Sequence, residues 1–269
     1  MDLGLGGRVY AVTAASRGLG FASAAELVAD GARVVVTARS QESVDAAVAR
    51  LGGPASAVGV VADNAAADTG ERLVAAARAA FGRIDGVLIS VGGPPAGSVL
   101  EVTDAQWTGA FDSVFLGAIR IARVFAGVLG TEEAGEALPW KGGDGRRVGS
   151  IGFVLSGSVR EPIGGLAVSN GLRPGLAMAA KTLANELGPR GIRVFGLLPA
   201  RIDTERVQHL DGLAADPAAE RARAAAAIPL RRYGRPEEFG RVAAFCLSPA
   251  ASYLTGVMVP VDGGALHGI

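Results

Sequence analysis

Cysteine and histidine are scarce in this chain of 269 residues. The single cysteine, Cys246, excludes an intrachain disulfide bond and is typical of a protein in a reducing cytoplasm. It lies in the apolar helical segment VAAFCLSP, which favours a buried small side chain over a nucleophile. The two histidines, His209 and His267, are far apart and lack metal-ligand spacing, so we expect no metal site.

An excess of charge and long apolar runs are also missing. The 26 basic and 26 acidic side chains give a formal net charge of zero, which predicts neither a nucleic-acid partner nor an acidic membrane surface. We find no apolar run long enough to span a bilayer, and the N-terminal residues lack a signal-peptide pattern. With 49% hydrophobic residues, the composition predicts a folded, cytoplasmic protein with a sizeable core.

Short Val/Ile/Leu-rich runs alternate regularly with longer Ala-rich helical patterns. The predicted strands span 8–14, 32–39, 56–63, 84–92, 147–157, 192–200 and 256–264, and the predicted helices span 20–31, 40–52, 69–81, 103–129, 169–187 and 235–249. The strands are continuous apolar runs, which is typical of a parallel sheet covered on both faces. The chain is therefore predicted to be a single α/β domain with a doubly wound, Rossmann-type parallel sheet and helices on both faces.

Two segments interrupt this alternation. Residues 130–147 are Gly-rich and charged, and we expect them to form a surface loop. Residues 200–234 follow the C-terminal end of a predicted strand, which is where ligands bind to such sheets. This second segment is therefore predicted to be a lid over a bound substrate.

The segment VTAASRGLGFA, between the first predicted strand and helix, predicts a phosphate-binding turn. Gly18 and Gly20 allow a tight turn and a close approach of a diphosphate to the helix N-terminus. Arg39 follows the second strand, where an acid would pair with the ribose 2′-OH of NAD; its planar fork suits the 2′-phosphate of NADP. Arg17 offers a second positive contact, and Asp63 offers an acceptor for the adenine amine. The pattern favours NADP(H) over NAD(H).

These residues and four further motifs resemble the short-chain dehydrogenase/reductase family, especially its 3-oxoacyl-acyl-carrier-protein reductase-like members. TAASRGLG resembles the T-G-x-x-x-G-x-G turn with Ala14 at the first Gly, and LISVGG stands at N-N-A-G with only Gly92 kept. GSIGFVLSGS resembles the strand that ends in the active-site Ser. NELGPRGIRVFGLLPARIDTER keeps Pro199 and Thr204 of its motif but has Ala200 for Gly, and residues 235–264 match the C-terminal signature closely. The resemblance covers nearly the whole chain.

The resemblance implies a nicotinamide cofactor, a small-molecule carbonyl substrate and a homotetramer or homodimer. One subunit interface would use the helices predicted at 103–129 and 169–187, and another the last strand. The residues that it assigns to the cofactor are Thr13, Ser16, Arg17, Gly18, Leu19, Gly20, Arg39, Asp63, Asn64, Gly92, Pro199, Ile202 and Thr204.

The family's catalytic Asn, Ser, Tyr and Lys correspond here to Val114, Ser156, Ser169 and Arg173. Ser169 stands 13 residues after Ser156, as the Tyr usually does, and counting back from TLANEL reaches the same position. An alkanol is far less acidic than a phenol, and a guanidinium with a pKa above about 12 does not readily give up a proton. Arg173 can still hold a ribose or polarise an oxyanion. Loss of a positioned acid typically slows a reaction about 10²–10⁴-fold.

Three functions therefore remain open. The first is a divergent NADP(H)-dependent oxidoreductase that polarises a ketone or 3-oxoacyl carbonyl with Ser156 and Arg173 and takes a proton from water or a lid residue. The second is a cofactor-binding pseudoenzyme with a regulatory or partner-binding role. The third is a non-redox cyclase or lyase. The kept cofactor motifs favour the first two over the third, and the resemblance to the family favours the first over the second. Four side chains are candidate replacements for the lost acid, namely Arg160, Glu161, His209 and Tyr233.

Two local predictions concern helix geometry and a tyrosine. Pro174 lies in the second turn of the helix predicted at 169–187, where its missing N–H removes a backbone bond, so we expect that helix to begin near Arg173. Tyr253 lies in the C-terminal signature, and we expect it to pack there.

Overall fold

A computed structural model describes residues 2–131 and 149–268. Its strands are β1 Val9–Val12, β2 Arg33–Ala38, β3 Ala57–Val61, β4 Gly86–Ile89, β5 Gly149–Val154, β6 Ile192–Pro199 and β7 Val257–Val261. They form one sheet in the order β3-β2-β1-β4-β5-β6-β7, and every neighbouring pair is parallel. The predicted doubly wound sheet is confirmed. Its strand order reverses at β1, with β2 on one side and β4 on the other, which is where such sheets bind ligands.

Helices cover both faces of the sheet. They are α1 Gly18–Ala29, α2 Gln41–Arg50, α3 Thr69–Phe81, α4 Asp104–Ala110, α5 Gly117–Val128, α6 Ala167–Leu187, α7 Glu205–Asp211, α8 Pro217–Ala227 and α9 Pro236–Leu247. One buried cluster joins α3, α5 and α6 to the sheet, and a second joins α1, α2 and α9 to its other face. Cys246 is buried in the second cluster, as predicted, and burial raises the pKa of its thiol to about 11.

Side-chain caps precede two of the helices, at the first residues of the predicted spans 40–52 and 103–129. Ser40 accepts a hydrogen bond from the Ser43 backbone N–H at 3.3 Å, and Thr103 forms a capping box with Gln106. The long helix predicted at 103–129 contains one irregularity, since residues Phe111–Leu116 form a π-helical segment between α4 and α5. This segment carries Val114, and π-bulges of this kind occur frequently at functional sites.

The prediction that α6 begins near Arg173 is wrong. The helix begins at Ala167 and continues through Pro174. Two side-chain contacts hold the turns before the proline. The Asn170 amide donates to the Ile163 carbonyl at 2.9 Å and accepts from the Ile163 N–H at 3.0 Å, and Ser169 pairs with Ser158. These contacts offset the backbone hydrogen bond that Pro174 cannot make.

The predicted lid, residues 200–234, contains α7 and α8 and is held by an ionic network. The buried carboxylate of Asp211 lies 2.5 Å from Arg201 and 3.8 Å from Arg221, and it accepts a hydrogen bond from the Tyr233 hydroxyl at 3.2 Å. Arg221 also pairs with Asp203 at 2.6 Å and lies over the Tyr233 ring. The segment is therefore ordered by its own charges.

Two other predictions concern exposed segments. Tyr253 is fully exposed, so the expectation that it packs within the C-terminal segment is wrong. A single residue next to a turn has no periodic pattern from which its burial can be predicted. The loop predicted at 130–147 lies outside the described residues, apart from its first two positions. Within the described ranges, no helix has the length and apolar character needed to cross a membrane.

Ala14 has a left-handed backbone conformation with a φ of +48°, at the position where the related family has Gly. This conformation costs a residue with a Cβ about 1–2 kcal/mol. We therefore expect Ala14→Gly to raise the free energy of unfolding by about 1 kcal/mol in urea denaturation. The control is Ala15→Gly, which should destabilise the protein because Ala15 is buried and lies outside the left-handed region. A destabilising effect of Ala14→Gly would show that the strain is not relieved by glycine.

Candidate active site

The Gly-rich turn between β1 and α1 requires glycine at two positions. Gly18 has a φ of +58°, and a methyl group at Gly20 would lie 2.7 Å from the carbonyl oxygen of Ala14. Arg17 is the N-cap of α1, but no side chain caps the helix and its first turn has no acidic residue. Ser16 and Leu19, the other predicted residues of this turn, are half-buried. The turn therefore presents the open, positive end of a helix, which suits a phosphate group.

Three polar groups join the ends of β1, β3 and β4 beside this turn. Thr13 Oγ1 donates to the Ser90 carbonyl at 2.5 Å, and Asn64 Nδ2 donates to the same oxygen at 2.9 Å. A methyl group at Gly117 would lie 2.1 Å from the Asn64 carbonyl oxygen, so glycine lets α5 approach this point closely. The predicted residues Thr13 and Asn64 are thus brought together with Ser90, which the sequence did not single out. Around Gly92, by contrast, there is open space where a side chain would project.

The two arginines predicted to bind a 2′-phosphate have different surroundings. Arg39 follows β2, is exposed, and has no hydrogen bond or ion pair with the described residues. Arg17 donates to Glu205, the first residue of α7, at 2.6 Å, and both side chains are largely exposed. Asp63 is exposed and accepts from the Ala65 N–H at 2.9 Å. Of the two cations, Arg39 is the one available to a ligand without breaking a contact.

Three serines lie between the end of β5 and the first turn of α6. Ser156 is the N-cap of a short helical turn, and its Oγ accepts from the Ser158 N–H at 3.1 Å. The hydroxyls of Ser158 and Ser169 are 3.0 Å apart and both residues are buried. Ser158 was missed in the sequence, where the available signal was its position two residues after Ser156. The site therefore holds a buried hydroxyl pair that includes Ser169.

Arg173 extends from α6 to the end of β5. Its Nη1 donates to the carbonyls of Val154 and Leu155 at 2.8 and 2.7 Å. Burial, together with the charge of Arg206, lowers the pKa of the Arg173 guanidinium to about 10. The guanidinium is therefore still protonated at neutral pH, and it places a fixed positive charge at the end of β5. Val114, on the π-helical segment packed against α6, is buried and offers no polar group.

Among the described residues, no other tyrosine or lysine lies where it could serve as a catalytic Tyr or Lys. The Tyr10 hydroxyl lies 3.5 Å from the Leu247 carbonyl in the core, and the hydroxyl of Tyr233 bonds to Asp211. Tyr253 is fully exposed. The ammonium group of Lys181 lies beside Gly256, at the opposite end of β7 from the site, and Lys141 is outside the described residues.

The side chains considered as replacements for the lost acid either form contacts with other residues or are exposed. Glu161 accepts backbone hydrogen bonds from His267 at 2.8 Å and Gly268 at 3.3 Å, and these contacts lower the pKa of its carboxyl group. Arg160 donates to the Met258 carbonyl at 3.3 Å, and His209 is exposed on α7. Among residues 2–131 and 149–268, no group of His, Cys, Asp and Glu side chains is placed to hold a metal ion.

Helix α7 and the residues before it contact both the Gly-rich turn and the loop that follows β4. Pro199 ends β6, Ile202 is buried, and Thr204 is the N-cap of α7 with its side chain beside Gly18. Two residues further on, Arg206 donates to the Pro94 carbonyl at 2.8 Å. Of the predicted residues, Thr204 is therefore close to the Gly-rich turn, Ile202 belongs to the buried cluster that includes Ala15, and the Pro199 carbonyl lies near Gly157. Arg206 was missed, and its only signal in the sequence was its place two residues after Thr204.

A mostly apolar cavity of about 300 Å³ lies beside the serines. Its walls are the loops after β4 and β5, which are joined by a hydrogen bond from the Gly97 N–H to the Gly165 carbonyl at 2.7 Å. The lining residues are Gly97, Ser98, Val99, Pro162, Ile163, Gly164, Gly165, Ala167 and Asn170. The cavity therefore presents a mostly apolar surface next to the first turn of α6.

Comparison with known protein families places this geometry among reductases. The family model described as enoyl-(acyl carrier protein) reductase matches residues 13–266. Human dehydrogenase/reductase SDR family member 4 is 37% identical over 264 residues, which cover 97% of this chain and 88% of the relative. The pig protein of the same name is 35% identical, over 96% of this chain and 86% of the relative.

Solved structures agree with the fold over the whole chain. L-sorbose reductase from Gluconobacter frateurii, in complex with NADPH and L-sorbose, has a TM-score of 0.87 and 26% identity, with 100% of both chains covered. The 3-ketoacyl-(acyl-carrier-protein) reductase from Brucella melitensis, in complex with NADH, has a TM-score of 0.82 and 26% identity, with 97% of this chain and 99% of that chain covered.

The Ser158–Ser169 pair predicts an energetic coupling that a double-mutant cycle measures. Ser158→Ala leaves the buried hydroxyl of Ser169 without its partner, which typically costs about 1–3 kcal/mol of unfolding free energy. The double variant Ser158→Ala/Ser169→Ala should cost less than the sum of the two single changes, by about 1 kcal/mol. Ser158→Ala combined with Ser43→Ala, which is remote and only partly buried, is the additive control. Additive effects at Ser158 and Ser169 would show that their hydroxyls are not paired.

Proposed function

The chain belongs to the short-chain dehydrogenase/reductase family, and on that premise we propose that it is an NADP(H)-dependent oxidoreductase that reduces a ketone or 3-oxoacyl-type carbonyl. The observation that carries this proposal is the Gly-rich turn at the uncapped N-terminus of α1, together with Arg39 at the end of β2, which has no partner among the described residues. The NADPH and NADH in the complexes of two related reductases support a nicotinamide cofactor.

Each part of the cofactor has a fitting group in this chain. The N–H groups at the start of α1 would hold the diphosphate, and Arg39 would bind the 2′-phosphate that distinguishes NADP from NAD. Thr204 and Ile202, above the turn, would hold the carboxamide end. When bound, the nicotinamide supplies the hydride. Arg17 can reach the 2′-phosphate only by breaking its ion pair with Glu205. Arg39 is therefore the main determinant of the preference for NADP(H) over NAD(H).

The serines and Arg173 would act on the carbonyl of the substrate. Ser156 donates a hydrogen bond to the carbonyl oxygen, and the charge of Arg173 stabilises the negative charge that develops there. The Ser158–Ser169 pair would pass a proton from water to that oxygen. Because no group of this relay is as acidic as a phenol, we expect turnover to be about 10²–10⁴-fold slower than with a positioned acid.

A second function is NADP(H) binding without turnover, in a regulatory or partner-binding role. The observation that favours it is the use of Arg173 Nη1 by two backbone carbonyls, which gives the arginine a structural role of its own. Binding of NADPH with no reduction of any ketone or 3-oxoacyl thioester in a broad screen would support this second function over the first.

We further propose that the protein forms a dimer or tetramer through the face formed by α6 and the π-helical segment Phe111–Leu116. Met178 on α6 is 68% exposed and Phe111 on the π-helical segment is 42% exposed. Phe111 stacks on Phe115, which lies against Gly175 of α6, so these apolar groups form one continuous patch. Exposed patches of this kind frequently mark subunit interfaces. Sedimentation velocity would reveal a monomer if the patch serves another purpose.

The cofactor preference predicts a specific effect of Arg39→Gln. The variant should bind NADPH about 10- to 100-fold more weakly and NADH unchanged, because a charge-assisted pair with the 2′-phosphate is lost. Titration of nicotinamide fluorescence measures both affinities. Arg33→Gln, at the other end of β2, is the control and should change neither. Equal loss of NADPH and NADH affinity would contradict the assignment, and absence of NADPH binding to the wild type would overturn the proposed function.

Restoring the family's acid predicts a gain of activity. Ser169→Tyr combined with Arg173→Lys supplies a phenol and an ammonium at the positions where the family uses them, and should raise the rate of carbonyl reduction by at least 10-fold. The rate is followed by loss of NADPH absorbance across a screen of ketones and 3-oxoacyl thioesters. A double variant that folds, binds NADPH and reduces substrates no faster would show that the missing phenol does not limit the reaction.

A further inference from the structure

Arg206, in the first turn of α7, is fixed over the loop that follows β4. Its Nη2 donates to the Pro94 carbonyl at 2.8 Å. A methyl group at Gly93 would lie 2.6 Å from Nε and 2.8 Å from the central guanidinium carbon, so the planar group rests directly on the backbone of that glycine. The guanidinium is therefore held in one place even though the side chain is partly exposed.

The charge of Arg206 has no carboxylate partner among the described residues. Several other arginines of the lid do have acidic partners, in the pairs Arg201–Asp211, Arg221–Asp203, Arg223–Glu220 and Arg232–Glu238. The acid next to Arg206 in the sequence, Glu205, pairs with Arg17 instead. Arg206 thus keeps a full positive charge that the lid does not neutralise.

The charge of Arg206 also acts on a second guanidinium, that of Arg173. Arg173 donates to two carbonyls at the end of β5, and no acid pairs with it in the described part of the chain. After burial, the charge of Arg206 is the other cause of the lowered pKa of Arg173. Two unneutralised cations at a partly buried site favour an anion there, since each charge attracts it and it relieves their repulsion.

We propose that Arg206 determines substrate specificity by binding a carboxylate, so that the carbonyl compound reduced at this site is an oxo acid. The planar fork of a guanidinium matches both oxygens of a carboxylate. Arg206 makes the contact, and Arg173 adds a fixed positive charge beside it. The inference rests on the proposed reductase function. The cofactor diphosphate is the other anion that Arg206 could meet, and the experiment separates the two.

The test uses matched pairs of acid and neutral ester. Wild-type protein, with and without saturating NADP⁺, is titrated calorimetrically with 2-oxobutanoate and 4-oxopentanoate and with the methyl ester of each. The wild type should bind at least one acid about 10-fold or more tightly than its ester. Arg206→Gln should remove that preference while the affinities for the ester and for NADP⁺ stay within about two-fold. Arg206→Lys should retain part of it, since the charge remains but the fork is lost.

The exposed Arg223→Gln variant is the control for a general loss of positive charge, and should retain the preference for the acid. The inference is overturned if the wild type does not distinguish acids from esters. It is also overturned if Arg206→Gln weakens NADP⁺ binding and leaves the ratio of acid to ester affinity unchanged. If the wild type binds no NADP⁺ but shows an Arg206-dependent preference for an acid, the reductase function fails and the carboxylate site stands.

Discussion

The hydrogen bonds from Arg173 to the last carbonyls of β5 determine the arrangement of the substrate half of the site. They hold α6 against the end of the sheet and keep Ser169, one turn earlier, beside Ser158. Because the guanidinium is buried but remains protonated at neutral pH, the same bonds place a permanent positive charge at this point. The Ser158–Ser169 hydroxyl pair therefore lies one helical turn from that charge.

The two halves of the site depend on the sequence in different ways. The cofactor half is built from backbone: a turn at Gly18 and Gly20, the open end of α1, and the shared acceptor at the Ser90 carbonyl. It tolerates Ala14 in place of a glycine at the cost of a strained φ. The candidate substrate half depends on side chains, namely the Ser158–Ser169 hydroxyl pair and the guanidinium of Arg173. The two halves are therefore sensitive to different kinds of substitution.

The sheet could be predicted because continuous apolar runs identify buried parallel strands, and α3 was predicted at its observed bounds because its pattern is strongly periodic. The start of α6 was mispredicted, since the two hydrogen bonds between Asn170 and Ile163, seven residues apart, outweigh the local effect of Pro174. Ser158 and Arg206 were missed for a related reason. Their roles arise from neighbours 11 and more than 100 residues away in the chain.

Deuterium transfer tests the central claim, that this site passes a hydride to a carbonyl without a phenol, most directly. The protein is incubated with NADPH deuterated at the transferable C4 position and with a panel of ketones, oxo acids and 3-oxoacyl thioesters, and the alcohols formed are analysed by mass spectrometry. The account predicts one deuterium on the former carbonyl carbon of at least one product, at a slow rate. Saturation with NADPH, shown by nicotinamide fluorescence, and no deuterated alcohol from any compound would contradict it.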